Sequence, residues 1–84
     1  MRKNLINPQF KEVNFTRREI EIAQLMYKDM SIAEIADKLF ISKKTVDRHS
    51  ENMRLKIGAR SSIGIVVYAI KHNLIKVDYD FKLN

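Results

Sequence analysis

The fold is decided by residues 41–58, which read ISKKTVDRHSENMRLKIG. Apolar or small side chains recur in this stretch with helical spacing, at Val46, Ser50, Met53 and Ile57. Ser42 is a suitable N-cap, because its hydroxyl can accept a hydrogen bond from a free N–H of the first turn. Gly58 is a suitable end, because glycine adopts the left-handed conformation at little cost. The stretch therefore predicts one helix with a definite start, packing face and end.

The opposite face of this predicted helix is charged. It carries Lys44, Asp47, Arg48, Glu51 and Arg54. One side can pack on a core, while the other can reach a partner rich in hydrogen-bonding groups. We interpret the stretch as a recognition helix that enters the major groove of DNA.

The composition is that of one small folded domain. The chain has 84 residues, of which 45% are hydrophobic and 31% charged. It lacks cysteine, which excludes disulfides and thiolate metal sites and fits a reducing cytoplasm. The longest apolar run, residues 63–70, is too short to span a bilayer, and no apolar run follows the basic N-terminus. We therefore expect no membrane span and no signal peptide.

The net charge of the chain is +6, and most of the surplus lies in its centre. Residues 43–60 contain six basic and two acidic side chains. A localised basic surface attracts polyanions such as nucleic acids through counterion release. A merely solubilising surface has the same composition, so charge alone does not decide between the two.

Two capping boxes mark the starts of two earlier helices, Thr16 to Glu19 and Ser31 to Glu34. The first helix is expected to end at Asp29, which tolerates the left-handed conformation. Its inward residues are Ile22, Ala23, Leu25 and Met26. The second runs to about Leu39, with Ile35, Ala36 and Leu39 inward. Residues 40–42 then form a short turn, so the second and third helices predict a helix-turn-helix.

The fourth predicted helix runs from about Ser62 to Asn73, with Ser61 and Ser62 at its cap. It is apolar on more than one face. One stripe comprises Ile63, Val66, Val67 and Ile70, and other faces carry Ile65, Tyr68 and Ala69. Because so small a domain has little core to surround such a helix, an interface on its second face is favoured over full burial. The small residues Gly64 and Ala69 would let a partner helix approach closely.

Both ends of the chain lie outside this four-helix unit. Residues 1–14 show no clear period and are expected to form an arm or a linker remnant, which Phe10, Val13 and Phe15 could anchor on the core. Residues 76–84 alternate between apolar and polar side chains and are expected to form an extended tail. The aromatic side chains Tyr79 and Phe81 could dock this tail.

Residues 15–75 resemble the DNA-binding domain of the LuxR/GerE family of bacterial transcription regulators. The resemblance is carried by the segments FTxRExEI from Phe15, EIAxxLxISxxTVxxH from Glu34, NMxxKI from Asn52 and AxxxNLI from Ala69. It implies an all-α domain of four helices, with the third in the major groove of double-stranded DNA and the fourth forming a homodimer. It also implies that many members carry a receiver domain, as in response regulators, or a ligand-sensing domain upstream. No such domain is present in this chain.

The chain departs from the family pattern at the reading helix. Where the family often has Lys or Arg, this chain has Asp47 and Glu51. A carboxylate can accept a hydrogen bond from cytosine N4, but phosphates repel it, so it can read sequence and cannot anchor the backbone. Asp29 and Asn73 replace expected glycines, and both can hold the same left-handed caps. Ser62 stands where the family often has Arg, although Arg60 lies nearby.

Nine residues are candidate DNA contacts: Lys43, Lys44, Thr45, Asp47, Arg48, Glu51, Asn52, Arg54 and Lys56. Arg48 is the first choice for guanine O6 and N7, with an ion pair to Asp47 or Glu51, or simple solvation, as the alternative. Lys44 could touch bases or phosphate.

The remaining candidates are weighed between DNA and the fold itself. Phosphate contacts are expected at Lys43, Thr45, Arg54 and Lys56, of which Lys56 is favoured by the resemblance. Thr45 could instead support the helix cap. Asn52 could bind DNA or make an internal bond.

The candidate dimer interface comprises Ile65, Val67, Tyr68, Ala69 and His72. His49 borders the packed face and is expected to bond to a backbone group. With only His49 and His72 in the chain, and no carboxylate cluster at ligand spacing, no metal site or other cofactor is predicted.

Enzymatic activity has no support in the sequence, because no nucleophile motif or phosphate-binding loop is present. Three functions remain open. The first is a sequence-specific regulator that binds a two-fold DNA site as a homodimer. The second is a protein-interaction helix-turn-helix with weak or non-specific DNA binding, suggested by Asp47 and Glu51. The third is region four of a sigma factor, which the strongly apolar fourth helix disfavours.

Overall fold

The computed structural model describes residues 14–78, which contain four helices and no strand. The helices are α1 (Arg17–Tyr27), α2 (Ile32–Leu39), α3 (Lys43–Ile57) and α4 (Ser62–Lys71). This confirms the predicted all-α architecture. The anchoring role expected of Phe10 and Val13, and that of Tyr79 and Phe81, falls outside the described residues. Within residues 14–78 no helix is long and apolar enough to cross a membrane.

The first three helices begin as the sequence predicts. In α1 the Glu19 N–H donates to Thr16 Oγ1 at 3.1 Å, and the Thr16 N–H donates to Glu19 Oε1 at 2.8 Å. Ser31 and Glu34 repeat this reciprocal pair at the start of α2, with the same distances of 3.1 and 2.8 Å. At α3 the Ser42 Oγ accepts from a single backbone N–H, that of N3, at 3.0 Å. Both predicted capping boxes are therefore confirmed.

The predicted side-chain cap of α4 is wrong. Ser61 occupies the N-cap position, but its hydroxyl makes no cap hydrogen bond. Its φ of −148° is more extended than the −80° of Ser42. Instead the Ser61 carbonyl accepts from the Gly64 N–H at 3.1 Å, which closes the turn through the backbone alone.

All four helices end with the same backbone closure. A residue with positive φ follows each helix: Asp29 (65°), Phe40 (59°), Gly58 (73°) and Asn73 (56°). The next residue along the chain donates its N–H to the carbonyl five residues earlier, at 2.8–3.2 Å. These donors are Met30, Ile41, Ala59 and Leu74, all half-buried. This is the hydrogen bond of a Schellman closure, and after α1, α2 and α4 it turns an apolar side chain (Met30, Ile41 and Leu74) back onto the core.

The left-handed positions of Asp29 and Asn73 confirm the predicted caps, whereas Phe40 was not expected to adopt this conformation. Asn73 also ends α4 two residues earlier than the sequence predicted, at Lys71. Phe40 lies in the three-residue turn between α2 and α3, and its side chain is 94% exposed. The left-handed conformation costs a residue with a Cβ roughly 1–2 kcal/mol. The turn thus has the predicted length, with a strained aromatic residue where glycine would be free of strain.

The core receives at least one fully buried side chain from every helix. These are Ile22 of α1, Ile35 of α2, Val46 and Met53 of α3, and Ile65 of α4. Phe15 and Ile75, which flank the helices, close the core at its edges.

The predicted inward faces of α1 and α2 are largely confirmed. Among the residues assigned to them, Met26 and Leu39 are only half-buried. Both pack against the buried cluster from its margin.

The buried face of α4 carries two residues that the sequence assigned to the dimer interface. Ile65 and Ala69 are completely buried, whereas Ile63, Val67 and Ile70 are 73%, 49% and 36% exposed. The apolar residues on all sides of α4 made its orientation ambiguous in the sequence, and packing against α1 and α3 decides it.

The small residues of α4 also have a different role from the one expected. A Cβ on Gly64 would lie 2.7 Å from the Cβ of Ala59. Gly64 therefore permits a close approach within the chain, and its small size does not by itself indicate a partner helix.

The start of the C-terminal tail is docked on α1 through its backbone. The Gln24 side chain accepts from the Lys76 N–H at 2.8 Å and donates to the Lys76 carbonyl at 3.0 Å. One helical turn later, the Tyr27 hydroxyl accepts from the Asp78 N–H at 2.9 Å and donates to its carbonyl at 3.3 Å. The side chains of Gln24 and Tyr27 thus hydrogen-bond to the backbone of the tail as a neighbouring strand would.

Candidate nucleic-acid interface

Helix α3 exposes one long face because its opposite face is fixed in the core. Val46, Ser50 and Met53 are buried, and Ile57 is half-buried, which confirms the predicted packing stripe. The short turn from α2 and the packing of α3 on α1, α2 and α4 hold this helix at the surface of the domain.

The structure brings most of the predicted DNA contacts together on this outward face. Six of them are exposed, namely Lys43, Lys44, Asp47, Arg48, Glu51 and Asn52. Thr45 and Arg54 are half-buried at its margins. We call these eight residues the α3 face.

The charged groups of the α3 face make no ion pairs with each other. Among residues 14–78 there are two ion pairs, Arg18 with Glu21 at 3.2 Å and Lys56 with Glu19 at 2.7 Å. The alternative that Arg48 is held by Asp47 or Glu51 is therefore not what the structure shows. The guanidinium of Arg48 and both carboxylates are available to a partner.

Lys56 has a structural position that the sequence did not predict. Its Nζ lies 2.7 Å from Glu19 Oε1 and donates to the Asn14 carbonyl at 3.1 Å. It also lies 5.9 Å from the centre of the Phe15 ring. The Glu19 side chain is only 3% exposed. Lys56 therefore compensates a buried charge and ties the end of α3 to the start of α1, a structural role beside the predicted phosphate contact.

Two marginal residues of the α3 face also bond within the domain. Thr45 Oγ1 lies 2.9 Å from Ser42 Oγ, as the alternative cap role requires, and Arg54 Nη1 donates to Ser50 Oγ at 3.3 Å. His49 is half-buried, and within residues 14–78 its side chain lacks the backbone hydrogen bond that we expected.

Sequence reasoning missed three residues around this interface. Leu55 is 74% exposed and follows Arg48 by seven residues, which places it on the outward side of α3. That spacing was visible in the sequence. Phe40, nearly fully exposed, precedes the N-cap of α3 by two residues. The burial of Glu19 had no local signal, because its partner Lys56 lies 37 positions away.

The candidate dimer residues of α4 separate into two groups. Ile65 and Ala69 are fully buried in their own domain and cannot offer surface to a partner, so their assignment is wrong. Tyr68 is half-buried, with its ring centre 5.5 Å from that of Phe15 and 4.1 Å from that of His72. Of the predicted set, Val67 offers an exposed aliphatic surface.

Val67 belongs to an exposed apolar surface on α4 that also includes Ile63 and Ile70, which we call the α4 face. Beside it lies a groove of 410 Å³, which Ile63 and Val67 line together with Met26, Met30 and Ile32. The side of α4 that is available to a partner therefore carries Ile63, whereas the side that carries Ile65 is buried in the core.

Comparison with known proteins identifies the family. Residues 13–69 match the profile of the bacterial regulatory proteins of the luxR family, GerE. The chain belongs to this family. The match covers most of the chain and supports the LuxR/GerE type over region four of a sigma factor. This LuxR-family chain therefore carries a helix-turn-helix DNA-binding domain of a transcription regulator, and its relatives are regulators rather than enzymes.

Relatives of known structure or name agree with this assignment. The oxygen regulatory protein NreC of Staphylococcus aureus is 41% identical over 61 residues, which is 73% of this chain and 28% of NreC. The structure of the transcription factor GerE superposes with a TM-score of 0.72 at 33% identity, covering 75% of this chain and 94% of GerE. Escherichia coli SdiA gives a TM-score of 0.74 at 37% identity, covering 87% of this chain and 29% of SdiA. The chain thus spans less than a third of NreC and SdiA but nearly all of the GerE structure.

Proposed function

We propose that this LuxR-family domain is a sequence-specific transcription regulator that binds a two-fold DNA site as a homodimer. In this proposal α3 lies in the major groove and α4 joins the two protomers. The observation that carries it is the α3 face, where exposed charged groups without intramolecular ion pairs project from a helix that the core holds firmly.

The start of α3 favours contact with phosphates. Helices α1 and α2 each have a glutamate in the first turn, whereas α3 has no acid there and begins with Lys43 and Lys44. Positive side chains at a helix N-terminus oppose the helix dipole in the free protein. A phosphate placed there would be favoured by the lysines, the free N–H groups and the dipole together.

We assign roles along the α3 face from this geometry. Arg48 lies in the middle of the exposed surface and reads a guanine through O6 and N7. Lys44, one turn earlier, contacts a base or a phosphate. Lys43, Thr45 and Arg54 lie toward the margins and contact the DNA backbone, and Asn52 contacts a base or phosphate. Backbone contacts fix the register of the helix, while base contacts give the sequence preference.

The α4 face supports the homodimer. Exposed apolar patches are rare on small monomers and commonly mark interfaces. Ile63 and Val67 lie beside an apolar groove, so a second copy could bury both the ridge and the groove. A symmetric dimer built this way presents two α3 helices and requires a two-fold DNA site.

We further propose that the domain, residues 15–75, acts in the cytoplasm as the DNA-binding part of a longer regulator. In that regulator, residues 1–14 link it to a receiver or sensor domain and residues 76–84 form a terminal tail. The support is that the chain corresponds to 28% of NreC.

A protein-interaction domain with weak DNA binding is the second candidate. The observation that favours it is the exposure of Asp47 and Glu51 on the α3 face, where both lower the positive potential. Electrostatic binding to phosphates would be reduced accordingly.

Selection from randomised duplexes with the purified chain, followed by titrations at two salt concentrations, separates the two candidates. The proposal expects an enriched inverted repeat, with half-sites about one helical turn apart. It also expects a log–log salt slope of roughly 0.9 per phosphate neutralised. Failure to enrich any sequence, or binding that depends on salt alone, would favour the second candidate.

A further inference from the structure

The two carboxylates of the α3 face invite a more specific assignment, which rests on the proposed function. Asp47 and Glu51 lie four residues apart, on one helical turn, and both are exposed. Neither forms an ion pair within residues 14–78, although Lys43 lies one turn before Asp47 and Arg48 directly follows it. The free domain thus leaves two negative charges uncompensated on its most basic segment.

This arrangement is unfavourable for the isolated helix and for binding to the DNA backbone. Like charges four residues apart destabilise a helix by about 0.2–0.5 kcal/mol. A carboxylate has only acceptor atoms, so it cannot bond to a phosphate oxygen. A surface that served only to bind the backbone would place donors at both positions.

In the major groove the acceptors of a carboxylate have two kinds of complementary group. These are the exocyclic amino groups, N4 of cytosine and N6 of adenine. Adenine N6 lies beside the acceptor N7, which would repel the second carboxylate oxygen. Cytosine N4 has no acceptor next to it on its own ring in the groove, so cytosine is the better match.

We propose that Asp47 and Glu51 are specificity-determining residues that accept hydrogen bonds from cytosine N4 within the half-site read by α3. Arg48 lies between them in sequence and binds guanine, so the three residues together select a half-site rich in G·C pairs. Competing sequences bind less tightly, because the repulsion between these carboxylates and the DNA phosphates is offset only where the amino group of cytosine donates to a carboxylate.

The test deletes the amino group and the carboxylate separately and together. Each cytosine of the selected half-site is replaced in turn by a 2-pyrimidinone nucleotide, which lacks only the 4-amino group. Binding of the unaltered chain is compared with that of Asp47→Ala and Glu51→Ala. Asp37→Ala is the matched control, because Asp37 is an exposed acid of α2 outside the α3 face.

We expect the unaltered chain to lose affinity about tenfold at one or two cytosines, within the range of a single base contact. Asp47→Ala or Glu51→Ala should bind the normal site less tightly, bind unrelated duplexes more tightly, and no longer respond to the analogue at its own cytosine. Asp37→Ala should retain the full response. Asp47→Asn should shift the preference at that position from cytosine to adenine, because an amide can accept from N6 and donate to N7.

Three results would overturn the assignment. If both alanine variants bind every duplex more tightly by the same factor, the carboxylates only repel DNA, and the proposed function stands without them. If 2-aminopurine, which lacks N6, weakens binding in place of the cytosine analogue, the cytosine assignment is wrong. If the unaltered chain prefers no sequence, the proposed function itself fails, and this inference fails with it.

Discussion

At Phe40 a nearly fully exposed aromatic side chain occupies a backbone conformation that suits glycine. Its φ is 59°, and it closes α2 before the turn to α3. Substitution to glycine removes a strain of about 1–2 kcal/mol and adds a smaller entropic cost to folding. The net effect expected for Phe40→Gly is a gain of roughly 0.5–1 kcal/mol, or a few degrees in Tm for a domain of this size.

Thermal unfolding followed by circular dichroism measures this gain, and Gly58→Ala is its matched opposite. Gly58 has φ 73°, and an added Cβ would meet nothing within 4 Å, so its substitution reports backbone strain and chain entropy without a steric clash. Gly58→Ala should lower Tm by a comparable amount. A lower Tm for Phe40→Gly would show that the Phe40 ring stabilises the fold in spite of its exposure.

Lys56 gives a second prediction at the residue scale. Lys56→Met leaves the buried Glu19 carboxylate without its charged partner, so the free energy of unfolding should fall by about 1–3 kcal/mol. Urea titration measures the fall. Lys43→Met is the control, because Lys43 is exposed and has no ion pair within residues 14–78. It should leave stability within about 0.5 kcal/mol.

In the DNA-binding assay we expect the opposite result, with a larger effect for the substitution of Lys43 than for that of Lys56. Lys43→Met should reduce the salt slope of binding by roughly 0.9, while Lys56→Met should leave it unchanged. A reduced slope for Lys56→Met in folded protein would show that Lys56 also contacts phosphate.

Arg48 tests base readout by a single side chain. Arg48→Ala should weaken binding to the selected site by roughly 1–3 kcal/mol and relax the preference at one base pair. Arg17→Ala removes the same charge from the exposed surface of α1 and should do neither. Equal weakening by Arg48→Ala on all sequences would refute its role as a base contact. Competition titrations with point-mutated duplexes measure both effects.

At the scale of elements, the helix boundaries were the best predicted feature. Capping boxes, the Ser42 cap and the length of the turn at residues 40–42 depend on neighbours three or four residues away, which the sequence displays directly. The left-handed ends at Asp29 and Asn73 were predictable from residue type, because Asp and Asn tolerate this conformation. Phe40 was missed because its strain is imposed by packing on either side of the turn rather than favoured by the residue itself.

The orientation of α4 and the pairing of Lys56 could not be predicted from such local patterns. An apolar helix has no unique inward face until its neighbours are placed, and here α1 and α3 select Ile65 and Ala69. Lys56 and Glu19 are distant in sequence and meet only when α1 packs on α3. The α3 face was predicted more completely because its polar residues and its packing stripe alternate with one clear helical period.

The α4 face supplies the prediction that belongs to this scale. Ile63→Glu should convert a dimer to monomers, because it places a charge in the proposed apolar contact. Leu55→Glu is the matched control, since Leu55 is 74% and Ile63 73% exposed, but Leu55 lies on α3. Sedimentation velocity distinguishes the outcomes. A dimer that survives Ile63→Glu, or dissociates only with Leu55→Glu, would contradict the role of α4.

At the scale of the whole molecule, the domain holds α3 and α4 on one core and exposes a different chemistry on each. Charged groups without ion pairs lie on the α3 face, and aliphatic side chains lie on the α4 face. Lys56 and Glu19 join α3 to the start of α1, and Gln24 and Tyr27 join the tail to the middle and end of α1. Helix α1 thus packs on both α3 and α4, which carry the two proposed surfaces, and also holds the start of the C-terminal tail.

Methylation interference on the selected duplex tests the central claim most directly, because it reports which groove the protein occupies. Methylation of guanine N7 blocks the major groove, and methylation of adenine N3 blocks the minor groove. We predict that N7 methylation prevents binding at two clusters of guanines about one helical turn apart, on one side of the duplex, with no effect of N3 methylation. Interference at adenine N3 alone, or binding that tolerates N7 methylation throughout, would contradict the placement of α3 in the major groove.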